Sequence, residues 1–460
     1  MNYSATWIAN VVGGELLGEN VTVTGTVETD SRACTPGSLY VARVGETTDG
    51  HRFIDSAISN GAVCSIVTDP TQGNPTHPRI VVADATLALG QLAKAHIARL
   101  RSLGNLQVVG ITGSVGKTTT KDLTANILAS AAPTVAAVAS FNNEVGMPLT
   151  ALGADETTRF LVLEMGASGP GHLAYLTTLV EPDCVVELAV GQAHLGGFGT
   201  IDGLAKAKAE LVAGVAAGGT VILNYDDAQV LKMRELTGET VRTFSAKGNP
   251  AADIRAVNVT LDANSCPHFT VETNGEAVQI HLGLVGLHQV NNALAATSVA
   301  LTCGLSLPAI ATALNGLEAS SPHRMSVFTA QEVTFIDDSY NANPDSMRAG
   351  LQVLAKLGAE AKRRIAVLGE MMELGDTSAQ LHQEVGHAVA AAQLDLLITL
   401  GEGAKEIAVP LQGKIECQHA SSPEDAIKLL KEKIAPADVV FLKGSNGSGV
   451  WKIADSFAQR

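Results

Sequence analysis

The stretch Ile111-Thr112-Gly113-Ser114-Val115-Gly116-Lys117-Thr118-Thr119-Thr120 constrains this chain more than any other. It follows the apolar run Leu106-Gln107-Val108-Val109 and leads into Lys121-Asp122-Leu123-Thr124-Ala125-Asn126-Ile127-Leu128, so it reads as strand, glycine turn and helix. That order describes a phosphate-binding loop. Its glycines let the backbone of Gly113–Thr119 aim N–H groups and a helix N-terminus at one anion. Lys117 adds a point charge and Thr118 offers a hydroxyl to Mg²⁺. The usual pattern is G-x-x-x-x-G-K-[ST]; here the first glycine, Gly113, comes late and leaves the shorter form G-x-x-G-K-T.

A chain of 460 residues predicts about three domains, each large enough for its own core. With 46% hydrophobic and 17% charged residues it reads as ordered and soluble. Lys plus Arg is 31 against 46 acids, a net charge of -15 with no basic cluster, which excludes sequence-independent nucleic-acid binding. Cys34, Cys64, Cys184, Cys266, Cys303 and Cys417 form no C-x-x-C pair, and fit buried thiols in a reducing compartment. The start Met1-Asn2-Tyr3-Ser4-Ala5-Thr6-Trp7 lacks a basic segment followed by an apolar one, and no apolar run reaches the roughly 18 residues of a spanning helix. A cytoplasmic monomer without membrane insertion is expected.

Organisation along the chain predicts an α/β protein of three domains: a small α/β N-terminal domain over 1–104, a central P-loop ATPase-like parallel sheet domain over 105–319, and a Rossmann-like C-terminal domain over 320–460. The first carries strand-like runs at 38–42 and 63–67, a helix over 87–103, and two polar turns. Those turns, Thr29-Asp30-Ser31-Arg32 and Gly45-Glu46-Thr47-Thr48-Asp49-Gly50-His51, suit surface loops and ligand loops equally. From Asn105, strands at 159–164, 184–190 and 220–224 alternate with helices, one of them over 202–217, which implies a mostly parallel sheet with ligands at the strand carboxyl ends. Residues 251–282 alternate like antiparallel strands, 286–303 reads as a helix, and the pattern breaks at Ser320-Ser321-Pro322. A third alternation runs from Val333 to Leu442 without a phosphate loop, so the two α/β units are expected to face each other across a nucleotide.

Several residues then acquire chemical meaning. Glu164 ends an apolar strand beside the loop and suits Mg²⁺, a hard cation that takes oxygen ligands. His194 follows the next strand. Lys206 and Lys208 begin a helix on different faces, so at most one faces the site. Asp337-Asp338-Ser339-Tyr340-Asn341-Ala342-Asn343-Pro344 follows a strand of the third unit, where a nucleotide would cross between units.

Together these motifs resemble the Mur ligases, ATP-dependent enzymes that extend the peptide of the cell-wall precursor. The resemblance runs through the whole chain: Asp30-Ser31-Arg32, Asp49-Gly50-His51, the short loop, Asn142-Asn143, Glu164-Met165-Gly166, His194, Gly286-x-His288, Pro322-His323-Arg324, the Asp338 segment and Lys443-Gly444-Ser445. The stretches 337–346 and 368–375 are similar to those of the member that adds a D-alanyl-D-alanine dipeptide.

The resemblance implies ATP and Mg²⁺, with UDP-N-acetylmuramoyl-tripeptide and D-alanyl-D-alanine as the joined substrates. It implies that the loop from Gly113 to Thr119 holds ATP, with Lys117 on the β- and γ-phosphates. Thr118 and Glu164 would take one Mg²⁺, and His194 with a carbamylated Lys208 a second. Asn292 would meet the adenine, Asp338 the ribose and Arg324 the γ-phosphate. Ser31, Arg32, Thr47, Thr48, Asn142 and Asn143 would hold the UDP-linked substrate. Two departures stand out. Gln289 replaces an Asn of the family, and Asn446 stands where an Arg often follows Lys-Gly-Ser. Another Mur-type or folylpolyglutamate-type ligase, a phosphate-loop kinase and a regulatory nucleotide-binding module are the competing readings.

Overall fold

A computed structural model describes residues 1–45, 47–138, 140–191, 198 and 200–458. Among them three principal sheets follow one another along the chain.

The first sheet orders its strands Glu15–Leu17, Arg79–Val81, Ala62–Val67, Ser38–Val41 and Val27–Glu28, all parallel to their neighbours except at the Glu15–Leu17 edge. Its long helix Ala85–Leu103 starts where the Asp84 carboxylate accepts from the backbone N–H groups of Thr86 and Leu87, two of the donors a helix start leaves unpaired. The helix binds this unit to the next one. Arg101 grips Asp183 through two bonds of 2.9 Å, and His96 bridges the Tyr3 hydroxyl at 2.7 Å and the Ala154 carbonyl at 2.9 Å.

The second sheet runs Thr134–Ala136, Phe160–Glu164, Gln107–Thr112, Cys184–Glu187, Thr220–Asn224, Thr240–Ser245, Ile254–Leu261, Pro267–Thr273 and Glu276–His281. Every pair is parallel up to Ile254–Leu261, after which two antiparallel strands extend the edge. Apolar residues on both faces explain why the central strands lack polar alternation. Val109, Ile111, Val162 and Val186 pack toward the helices Lys117–Ala129 and His288–Thr302; Val108, Leu161, Leu163 and Val185 pack toward Leu173, Leu176, Leu211 and Val212 on the other side.

The third sheet orders Ser326–Ala330, Val333–Asp337, Val439–Lys443, Arg364–Gly369, Leu396–Leu400 and Glu416–Ala420, parallel except at its first edge. The chain reaches it through the 320–322 link, which is tied to the loop helix: Ser321 donates to Asp122 at 2.6 Å, and Asn126 to Ser320 at 3.3 Å.

One expected strand is shorter than its apolar run. The ladder ends at Glu187, and the residues that follow bond to the end of the neighbouring strand and to the phosphate loop. Leu188 donates to the Thr112 carbonyl at 3.0 Å, and Ala189 accepts from the Ser114 N–H at 2.8 Å. All six cysteines are free thiols. Among the described residues no helix is long and apolar enough to cross a membrane.

Candidate active site

The loop Gly113–Thr119 lies at the carboxyl end of the strand Gln107–Thr112, between strands that end in Glu164 and Glu187. Gly116 has φ 83°, in the left-handed region where a side chain is strained, and a Cβ there would also collide with the Asn292 amide oxygen. At Gly113 a Cβ would meet the Leu188 Cβ at 2.7 Å. The glycines are therefore required by both backbone and neighbours. Lys117 Nζ donates to the Gly113 carbonyl at 2.8 Å, folding back over the loop. Burial lowers its pKa, while the carboxylates of Glu164 and Glu187 oppose that shift.

Thr118 is the junction. Its hydroxyl donates to Glu164 Oε2 at 2.8 Å, lies 2.9 Å from the Ser140 hydroxyl and accepts from Arg324 Nη2 at 2.9 Å. Arg324 also donates to Ser140 at 3.0 Å, and its guanidinium lies 4.2 Å from the centroid of the Tyr340 ring. The second Glu164 oxygen accepts from the Asn142 amide at 2.7 Å. A hydroxyl and a carboxylate, both buried and held by neighbours, form the oxygen donor set that suits Mg²⁺, which is commonly held by one or two carboxylates together with substrate phosphates. Among the described residues no group of three or more His, Cys, Asp or Glu gathers as an all-protein metal cage.

Across the cleft, Lys443 Nζ donates to the Asp338 carboxylate and, at 2.9 Å, to the Asn341 carbonyl, fixing the loop after the strand Val333–Asp337. Asn292 Nδ2 donates to Gln289 Oε1 at 2.8 Å, so the residue that departs from the family pattern buttresses Asn292. A cavity of about 550 Å³ opens between the units, within the size range of small-molecule sites. Its walls include the loop from Ser114 to Thr119, Asn142, Glu164, Asn292, Arg324 and Asp338.

Lys208, Asn143 and the expected residues of the first unit are not among those walls. Lys208 is buried on the helix Ile201–Ala213 while Lys206 is exposed, as their different faces require. Burial pushes Lys208 down to about 8. His194 lies outside the described residues. Asn143 accepts from the N–H groups of Val145 and Gly146, in the turn that leads into the helix Gly146–Leu152. In the first unit, exposed Arg32 is paired with Asp30 at 2.6 Å and its bonds hold that carboxyl down to about 2; Ser31 is buried; Thr47 and Thr48 sit on an exposed turn. His51 is buried with Asp49 at 2.6 Å and accepts from the Thr68 N–H at 3.0 Å, so this motif braces the turn.

Ser140, Tyr340, Lys443 and Glu187 had no assigned role in the sequence. Tyr340 and Lys443 stand inside motifs of the sequence, Glu187 carries a signal as an acid inside an apolar strand, and Ser140 carries none.

The geometry has counterparts among known proteins. Residues 111–300 match the Mur ligase middle domain, 323–446 the Mur ligase glutamate ligase domain, and 24–97 the Mur ligase family catalytic domain. The chain is 39% identical to the UDP-N-acetylmuramoyl-tripeptide–D-alanyl-D-alanine ligase of Mycobacterium leprae, over 97% of this chain and 96% of that protein. It belongs to the Mur ligase family. The Escherichia coli protein of the same name is 34% identical to this Mur ligase over 97% of this chain and 96% of its own. Among solved structures, MurF from Acinetobacter baumannii superposes with a TM-score of 0.87 at 29% identity, covering 100% of this chain and 99% of that one. MurF from Thermotoga maritima in complex with ADP gives 0.80 at 27% identity, covering 95% and 98%. The three-domain α/β architecture is thus that of the Mur ligases.

Proposed function

We propose that this Mur ligase joins D-alanyl-D-alanine to UDP-N-acetylmuramoyl-tripeptide at the expense of ATP, as the names of its near-full-length relatives describe. The observation that carries this reading is the Arg324–Thr118–Glu164 chain of bonds at the phosphate loop. It brings a cation, a hydroxyl and a carboxylate from two units together beside the phosphate loop, which supports a γ-phosphate site there. Residues 1–104 bind the UDP-linked substrate, 105–319 bind ATP and 320–460 bring the dipeptide.

The tripeptide carboxylate attacks the γ-phosphorus, giving an acyl phosphate and ADP, and the dipeptide amine then displaces phosphate through a tetrahedral intermediate. Lys117 and Arg324 balance the charge that moves onto the transferred phosphoryl oxygens. Thr118 and Glu164 would hold one Mg²⁺, and His194 with a carbamylated Lys208 a second; bound there, Mg²⁺ would supply neutralisation of the phosphate charge. Asn292 contacts the adenine and Asp338 the ribose. Ser31, Arg32, Thr47, Thr48, Asn142 and Asn143 position the UDP-linked substrate so that its carboxylate is close and aligned. The enzyme acts as a cytoplasmic monomer without nucleic-acid partners.

The test is an assay of phosphate release with ATP, D-alanyl-D-alanine and UDP-linked tripeptides ending in diaminopimelate or lysine. Release that requires both the tripeptide and the dipeptide supports the reading. ADP formation that leaves a stable phosphorylated acceptor, with no phosphate released and no need for the amine, would make the protein a kinase.

A further inference from the structure

Pro322-His323-Arg324 is one of the motifs that carry the family resemblance, yet only its arginine enters that scheme. Just before it the chain is tied to the central unit, where Ser321 donates to Asp122 and Ser320 accepts from Asn126. At His323 the ties pass to the third unit. His323 Nδ1 donates to Asp337 Oδ2 at 2.9 Å, and Nε2 lies 3.6 Å from Asp455 Oδ1 on the helix Val450–Ala458. Each ring nitrogen thus faces a carboxylate. Asp337 is fully buried, and its other oxygen accepts from the Ser339 hydroxyl at 2.5 Å and the Ser339 N–H at 3.2 Å, which makes it a fixed anchor.

The backbone on either side of Arg324 is held as tightly. His323 has φ 59° and Met325 φ 55°, in the left-handed region that residues other than glycine seldom occupy. Such conformations persist where the surrounding contacts over-determine them. Here the contacts include the His323 ring and the His323 carbonyl, which accepts from the Tyr340 N–H at 3.2 Å. Tyr340 also carries the Arg324 guanidinium on its ring. The turn from Asp337 to Tyr340 therefore holds Arg324 twice, through the residue before it and through the guanidinium.

We propose that His323 is a positioning residue for Arg324: its ring, bonded to Asp337, fixes the backbone from which the guanidinium reaches across to Thr118 and Ser140. The proposal rests on the reading that Arg324 meets the γ-phosphate. A long side chain on a free linker would sample many placements, and each misplacement weakens the contact as the phosphoryl group moves. With His323 anchored, the cation stands in place beforehand and needs no reorganisation during the reaction. Asp338, the residue proposed for the ribose, follows Asp337 directly, so one strand end aligns the contacts to both ends of the nucleotide.

Two full-length variants test it by phosphate release with ATP, UDP-linked tripeptide and D-alanyl-D-alanine. His323→Gly removes the ring while its backbone adopts a positive φ without strain; His323→Asn keeps an N–H donor on a residue that tolerates the same region. His323→Gly is expected to lose about tenfold in kcat, part of the roughly hundredfold that a misplaced group can cost, with each KM unmoved. His323→Asn is expected to recover most of that loss. A double-mutant cycle supplies the readout that a merely structural role would not move. In an Arg324→Ala background, His323→Gly should cost nothing further, because no guanidinium is left to place. The same tenfold loss in both backgrounds overturns the proposal, and so does a single Gly variant with wild-type kcat. If the Gly variant does not fold, the cycle is run on His323→Ser, too short to reach Asp337; failure of both to fold makes His323 a folding residue and overturns it too. Arg324→Ala with wild-type kcat instead overturns the reading of Arg324 on which the proposal rests.

Discussion

Arg324 donates from Nη2 to the Thr118 hydroxyl at 2.9 Å, joining residues 206 positions apart. A cation delivered after the 320–322 link thereby becomes part of the phosphate loop, and the approach of the third sheet becomes part of the site. Arg324→Lys should lower kcat about a hundredfold, because an ammonium cannot keep the planar stack on Tyr340 while reaching both hydroxyls. Steady-state kinetics with saturating UDP-linked substrate checks this. A lysine variant with wild-type kcat would show that charge alone suffices.

Lys117 is held over its loop by the Gly113 carbonyl and is half-buried there. Lys117→Met retains most of the methylene stem and removes the charge. We expect kcat to fall about 10²- to 10³-fold, the scale of losing one preorganised electrostatic contact. Calorimetry with ADP, measured beside ATP, should show the larger affinity loss for the triphosphate; equal losses would move Lys117 away from the γ-phosphate.

Lys208→Ala should abolish most phosphate release and regain some of it with added short carboxylates, which can occupy the space of the missing group. Full activity in the unsupplemented variant would remove Lys208 from the metal site. Lys206→Ala, on the exposed face of the same helix, should behave as wild type in the same assay.

Acid should weaken the first unit through His77. Burial holds this imidazole down to about 4, beside the Ser65 hydroxyl at 3.0 Å. Its folded pKa lies below its unfolded one, so its contribution is fully present above about pH 6.5 and is lost as pH falls through about 4. The loss approaches about 3 kcal/mol. Denaturant unfolding of wild type and His77→Gln at neutral and mildly acid pH checks it: the gap between the two pH values should narrow in the variant, and an unchanged gap would assign the acid sensitivity to other groups.

Much of this was legible along the chain because it is local. The run from strand through glycine turn to helix predicts its own backbone geometry, and the late first glycine marks the family. The neighbouring strands carry their acids at the ends where parallel sheets place ligands, so Glu164 was visible from its position alone. Lys208 could be preferred to Lys206 only through the resemblance; the helix face then buried one and exposed the other.

What stayed hidden depends on segments far apart in sequence. Ser140 and Tyr340 are unremarkable polar and aromatic residues until Arg324 lies between them. Lys443 finds Asp338 across 105 residues, and Gln289 accepts from the Asn292 amide. The end of the ladder at Glu187 was invisible because the residues after it are as apolar as a strand; there Ala189 turns to the Ser114 N–H of the phosphate loop. By itself the sequence determined the three α/β units, the phosphate loop and the family, since periodicity, turn chemistry and short motifs act over a few residues. Only the tertiary structure decided which cations and carboxylates meet, because the balance of burial, charge and hydrogen bonding at a site exists only once separate sheets have packed around it.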